Sequence, residues 1–299
     1  MEPWHQVNWD WRAAGNFIGG GSGTGLVILA AAASDQGIAY WPLGFFGAIL
    51  VGVGLVCVWL EIGRPWRALH VFFHPQTSWM TREAFVSTLL LPATLLAAAA
   101  SAPFIHWPAI ANDVIWLAAL LAIFYLYCQA RILHGSKGIP AWRHPSLIPV
   151  IILTGLTEGC GFLLLGIALF GGFSVWPLVL LFILLLGRWM AWRRYLAKLT
   201  QTGAPGKALA VLNGATPMIN NLGHYLAAIL VLLALVAGDF GPLFAALAGL
   251  AAIAGGWRLK FVVVARAAFN QGFALPLTPV RGTGQAGPGD KPGWSKSGP

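Results

Sequence analysis

Unbroken apolar runs of about twenty residues recur along this chain, separated by short polar breaks. At about 1.5 Å per residue, a helix of that length crosses the hydrocarbon layer of a bilayer. The runs are continuous rather than alternating, which excludes the dyad pattern of a membrane β-barrel. Of 299 residues, 58% are hydrophobic and 9% charged, with a mean hydropathy of +0.74, more apolar surface than one water-soluble core hides. The predicted fold is therefore all-α: a polytopic transmembrane bundle of eight helices at about 13 to 33, 41 to 60, 83 to 102, 112 to 131, 146 to 170, 174 to 192, 217 to 237 and 242 to 264.

Residues 1–266 form the predicted transmembrane domain, and residues 267–299 a Gly/Pro-rich cytoplasmic tail that is free or orders on a partner. The opening MEPWHQVNWDWR lacks the features of a removable export signal, so the first span is expected to be retained. Trp41, Trp107, Trp116 and Trp176 fall near span ends, where an interfacial aromatic belt belongs.

A net charge of +9 invites a nucleic-acid reading, but the placement of the charge decides otherwise. All 18 Lys and Arg, including Arg188 and Lys260, are expected in the loops and tails of one face. The opposite loops, near 34 to 40, 103 to 111, 171 to 173 and 238 to 241, hold no basic residue, and Asp35, Asp113 and Asp239 lie in or beside them. By the positive-inside rule the basic loops and both termini are cytoplasmic, as for a multi-pass protein of the cell's inner membrane, and soluble partners would dock on that face.

Cys57, Cys128 and Cys160 lie inside hydrophobic spans without Cys-x-x-Cys spacing, which argues against a disulfide framework and against an iron–sulfur cluster held by this chain alone. The run from Gly19 to Gly25 has neither the ending nor the spacing of a phosphate loop. Its small residues at four-residue intervals (Gly15, Gly19 and Gly23; Gly21 and Gly25) instead predict close helix packing. Glu158 is the only acid placed deep in a span, so it is expected to be protonated or paired, either on a proton route or in a structural hydrogen bond. Asn213, Asn220, Asn221 and His224 make a polar patch entering the seventh span, read as helix-to-helix hydrogen bonding.

The second cytoplasmic connection concentrates acids, bases, histidines and tryptophans at one membrane boundary: Glu61-Ile62-Gly63-Arg64-Pro65-Trp66-Arg67-Ala68-Leu69-His70, then Thr77-Ser78-Trp79-Met80-Thr81-Arg82-Glu83. Reducing a quinone takes two electrons and two protons, so polar donors must hold its carbonyls while an ionisable group reaches water. Glu61 and Glu83 flank this connection and are the candidate proton-handling residues; Arg64, His70 and Trp79 are candidate quinone contacts. A structural alternative makes Glu83 a helix N-terminal acid and pairs Glu61 with Arg64 or Arg67.

On Gly63-Arg64-Pro65 with Arg67 and Ala68, and on Thr77-Ser78-Trp79 with Arg82-Glu83, the chain resembles the membrane anchors of molybdenum–iron–sulfur oxidoreductases, the polysulfide reductase and dimethyl sulfoxide reductase anchor (NrfD-like) superfamily. The resemblance covers about twenty residues by motif and most of the chain by its eight-helix layout. It implies a subunit without a metal centre that binds quinone, ubiquinone or menaquinone, beside the cluster of a ferredoxin-like iron–sulfur partner, which in turn serves a molybdopterin catalytic subunit. It also implies that Glu61 and Glu83 lie at the quinone pocket, with Asn16 on the first helix as a further candidate. With partners on the cytoplasmic side, the chain looks most like the anchors of enzymes such as sulfite dehydrogenase or phenylacetyl-CoA:acceptor oxidoreductase.

Two rival classes remain open at this point. A haem b cytochrome needs paired axial histidines, for which only His134 and His224 are near helices on one side. A proton-coupled transporter needs broken helices around a midplane site, hinted at by Glu158 with Gly155, Gly159 and Gly161.

Overall fold

The computed structural model describes residues 2–62, 65–105, 107–170, 172–272, 275–278 and 287–290. Its helices are α1 (Trp11–Ser34), α2 (Tyr40–Glu61), a 3-10 segment (Pro65–Phe73), α3 (Trp79–Ser101), α4 (Pro108–Gly135), a short α5 (Pro140–Arg143), α6 (Leu147–Leu169) and α7 (Val175–Gln201). The chain continues through α8 (Gly206–Asn220), a π-helical stretch (Asn221–Leu226), α9 (Ala227–Val236), a 3-10 turn (Gly238–Phe240), α10 (Gly241–Phe261) and a second π stretch (Val262–Arg266). Eight of these helical units are long and apolar enough to cross a membrane, with α8 to α9 and Gly238–Arg266 each counting as one. The all-α bundle of eight spans read from the sequence is the fold; beyond it, a short antiparallel pair joins Leu275–Thr278 (β1) to Gly287–Asp290 (β2).

Local chemistry sets the helix ends. The Asp10 side chain accepts from Arg12 N at 2.8 Å and caps α1, and the hydrogen bonds from Arg12 hold its carboxyl below the usual carboxylate range. Ser78 Oγ accepts from Thr81 N at 3.2 Å and starts α3. With that cap α3 starts four residues earlier than the sequence reading placed it, so Glu83 is not an N-terminal acid; it sits a full turn inside and is buried. Likewise α7 runs nine residues past its predicted end, because Arg193, Arg194 and Lys198 are good helix formers and need no lipid to stay helical. The seventh span begins at Gly206 rather than 217, carrying Pro217 inside it.

Burial is inverted relative to a water-soluble protein. Large apolar side chains such as Leu89, Leu120, Phe124, Leu186 and Leu232 are exposed on the periphery, as a lipid-facing surface requires. The centre is α1 and α6, whose apolar windows are 78% and 72% buried against 33% for α2, α3, α4 and the seventh span, so α1 and α6 form the axis around which the others pack.

Glycine makes that axis possible. A Cβ on Gly25 would collide with the Gly155 backbone, and one on Gly159 with Gly25, so α1 and α6 touch main chain to main chain. Gly19 and Gly23 do the same against Leu50 and Gly47 of α2. The expected packing role therefore holds for Gly19, Gly23 and Gly25, while Gly20 and Gly21 face side chains of other helices.

Both described ends meet on one face, as an even number of crossings demands. Gln6 N donates to Ala268 O at 3.0 Å, Asn270 N donates to Trp4 O at 3.0 Å, and His5 bridges Phe269 antiparallel. On the same face Trp142 Nε1 donates to Val263 O at 2.8 Å, satisfying a carbonyl within the second π stretch. The three cysteines are free, as expected.

One expectation about charge is corrected. Arg188 and Lys260 are not loop residues: both are fully buried inside α7 and α10. Removing them leaves the segregation of charge intact, because the opposite loops still carry no cation.

Candidate functional site

A cavity of about 540 Å³ opens between α1, α2, the 3-10 segment and α3, near the end of the bundle where the chain ends meet. Helix α1 contributes Trp9 from its lead-in together with Asn16 and Phe17; α2 contributes Leu55, Trp59 and Glu61; α3 contributes Met80 and Glu83. Its walls are mostly apolar and aromatic, and its polar groups are few and convergent, the usual make-up of a small-molecule site. Trp59 and Met80 are also exposed on the outer surface, so the cavity borders the lipid-facing rim.

The sequence brings these groups together through helix periodicity. Met80, Glu83, Ala84 and Ser87 are spaced three and four apart, which sets them on one face of α3. Glu83 is 7% exposed, and the side chains of Tyr125, Asn16 and Gln129 surround its carboxyl. Even so, Glu83 Oε1 has no hydrogen-bond partner among the described residues. A buried carboxylate oxygen left unmatched costs free energy of about 1 to 3 kcal/mol or more, so it is a suspect for a group that meets a ligand.

Asn16 is held from both ends: Gln129 Nε2 donates to its carbonyl at 3.0 Å, and Tyr125 OH lies 3.5 Å from its Oδ1. Glu61 is half-buried at the mouth, and among the described residues the charges that act on it are Asp10 and Arg12, not Arg67. Arg12 is itself occupied, forming an ion pair with Asp10 at 3.0 Å and donating to Leu60 O at 2.9 Å.

The other sequence candidates fall elsewhere. His70 is exposed on the 3-10 segment, with its ring 5.3 Å from Phe73, and does not line the cavity. Trp79 also lies outside it: its ring is sandwiched by the guanidinium groups of Arg82 at 4.2 Å and Arg131 at 4.4 Å, an arrangement that ties α3 to α4. Arg64 lies outside the described residues.

Sequence reasoning missed Tyr125 and Gln129, which sit one turn apart on α4 and form the inner wall behind Glu83. Their i, i+4 spacing inside an apolar run was the available signal. Glu158 is paired, one of the two states expected of it, but its partners were missed: Lys260 Nζ lies 2.6 Å from Oε2, and Ser22 Oγ donates to the same oxygen at 2.7 Å. Next to it Arg188 donates from Nε to His224 Nε2 at 3.0 Å, from Nη1 to Ala252 O at 3.0 Å, and from Nη2 to Gly223 O.

Because His224 Nε2 accepts from a permanent cation, the imidazole is neutral and that nitrogen is taken. His134 lies at the far end of α4, among Lys137, Arg131 and His144, so no observation favours a His134–His224 haem pair. Among the described residues, no three of His, Cys, Asp and Glu converge in a metal-binding group. The chain matches no protein-family model and no curated protein.

Proposed function

We propose that this chain is the membrane-anchor subunit of a molybdopterin/iron–sulfur oxidoreductase, exchanging electrons between a partner's iron–sulfur clusters and the membrane quinone pool. The observation that carries the reading is the cavity at the basic end of the bundle, where aromatic walls border lipid and two carboxylates, one with an unmatched buried oxygen, converge with Asn16. A quinone is a flat apolar ring with two carbonyls and an isoprenoid tail. Trp9, Phe17 and Trp59 suit the ring, and the lipid-facing rim suits the tail.

The protein's own contribution is positioning and proton supply. Glu83 sits where it exchanges a proton with a quinone oxygen, with Tyr125 and Gln129 fixing its carboxyl. Glu61, at the mouth, connects that exchange to water. Electrons arrive from or leave to the partner, a ferredoxin-like subunit docked on the same face. The positive-inside rule supports a cytoplasmic assignment for that face, and we take the membrane to be the cell's inner one.

The test is quinone turnover by the intact assembly. Glu83→Gln is expected to slow it by about a hundredfold, the usual scale for a general acid–base group, with Glu61→Gln also slower. Assembly with the partner subunits and dye-linked activity should survive both changes. Equal loss of dye-linked and quinone-linked activity would make both residues structural, and an assembly that neither contains nor reacts with quinone would sink the reading.

A further inference from the structure

A file of buried polar side chains leads inward from this cavity to the middle of the bundle. Glu83 stands on the fifth residue of α3, near the rim; behind it are Tyr125, Asn16 and Gln129. Gln129 Oε1 is buried, has no hydrogen-bond partner among the described residues, and faces the notch that Gly20 and Gly21 leave in α1. A Cβ on Gly20 would overlap Gln129 Nε2; one on Gly21 would overlap Lys260 Nζ and stand 3.4 Å from Gln129 Oε1. The amide of α4 and the ammonium of α10 thus border the same notch. Lys260 then pairs with Glu158, whose Oε1 flanks Gly256 beside Arg188 Nη1, and Arg188 holds His224.

Packing alone does not explain the file. A buried ion pair is often no more stabilising than apolar residues of the same volume, and at the centre of a bilayer a charge is dearer still. Glu158 is the twelfth residue of the 23 in α6, about 16 Å along the helix from its start. Three buried acceptor oxygens without a hydrogen-bond partner among the described residues, on Glu83, Gln129 and Glu158, are spaced along the file. The two π-helical stretches of the bundle also adjoin it, one containing His224 and the other beginning two residues after Lys260, and such distortions recur at functional positions.

We propose that Glu158 is a proton-loading station for the cavity, reached from Glu83 through Gln129 and Lys260 across the Gly20–Gly21 notch. The inference rests on the quinone reading above and deepens it. When a quinol in the cavity is oxidised, it gives two electrons to the partner's cluster and two protons to the protein. The first proton passes from the quinol oxygen to the Glu83 carboxylate and on along the file; the second stays on the Glu83 carboxylate until it leaves to water past Glu61. At the end of the file Lys260 gives a proton to the Glu158 carboxylate and regains one from the side of Gln129, which leaves a neutral carboxylic acid beside an ammonium. Arg188, Lys260, Ser22 and Trp257 (through Ser22) are the groups facing this centre. Quinone reduction runs the same transfers backwards.

The test is electrochemically driven infrared difference spectroscopy on the full chain in nanodiscs loaded with decyl-ubiquinone. In the wild type, cycling the quinone should change two carboxyl bands. Glu83→Gln should remove both, and Glu158→Gln one, with decyl-ubiquinone affinity unchanged because Glu158 lies outside the cavity. Gln129→Leu, which removes no charge, should silence the Glu158 band while the Glu83 band persists, and Gln129→Glu should restore it. Intact quinone and Glu83 signals with no Glu158 band, or a Glu158 band indifferent to Gln129→Leu, would overturn the proposal while leaving the quinone site standing. A wild-type protein that binds no decyl-ubiquinone would remove both.

Discussion

Glu158 and Lys260 are each fully buried, 2.6 Å apart, with Arg188 as a second cation close by. The site holds two cations to one carboxylate, so its energetics are lopsided: taking away Glu158 leaves both cations uncompensated in a low-dielectric interior, while taking away Lys260 leaves the carboxylate facing Arg188. Glu158→Leu alone is therefore expected to destabilise the protein by about 3 kcal/mol or more. Combining it with Lys260→Met, which removes one of the two stranded cations, should recover part of that loss, read as the thermal unfolding midpoint in detergent. A double variant no more stable than the single one would mean that Arg188 depends on Glu158 more strongly than Lys260 does. Glu83 presents the opposite situation: among the described residues it has no cation at hydrogen-bonding distance, its carboxyl lies among the neutral side chains of Tyr125, Asn16 and Gln129, and one oxygen is unmatched.

The helices are held by close main-chain approach rather than by a greasy seam, because lipid competes equally well for leucine side chains. Gly25 with Gly155 and Gly159 joins α1 to α6, Gly161 with Gly249 joins α6 to α10, and Gly223 with Gly255 joins the first π stretch to α10. Gly159→Ala should consequently cost about 1 to 3 kcal/mol through overpacking against a backbone that cannot yield. Gly52→Ala, with nothing within 4 Å of the new carbon, should leave the thermal midpoint unchanged or slightly raised. Comparable losses at both positions would show that helix propensity, not contact, is being measured. The connection between α2 and α3 shows how far sequence reading reached at this scale. Its concentration of polar and aromatic residues borders the cavity, yet helix phase turned Glu83 and Met80 onto that cavity and Trp79 away from it, against Arg82 and Arg131.

Across the whole molecule, the basic loops and both described ends share one face, while the loops around Asp35, Asp113 and Asp239 share the other. In a cysteine-free background, Asp239→Cys is expected to react with an impermeant maleimide in intact cells, and Lys207→Cys only after lysis. The reverse pattern would place the cavity, and any partner, on the outer side. The pairing of Trp4 and Gln6 with Asn270 and Ala268 closes the bundle near the cavity, so the lead-in to α1 that supplies Trp9 is anchored by the end of the last span. A partner docking there would meet the lead-in to α1, the end of the last span and the mouth of the site together.

By itself the sequence determined the solvent, the number of crossings and the segregation of charge, because hydrophobic length and the position of Lys and Arg are properties of the chain read in one dimension. It also marked Glu61, Glu83 and Asn16, which the cavity brings together from three helices. Only the tertiary structure decided that Arg188 and Lys260 leave the water-facing inventory for the interior, and that His70 and Trp79 stand clear of the cavity. The reason is rotational: a run of twenty apolar residues fixes where a helix lies but not which way it faces. Facing is set by where glycine lets neighbouring backbones touch, and that in turn chooses which rare polar side chains meet.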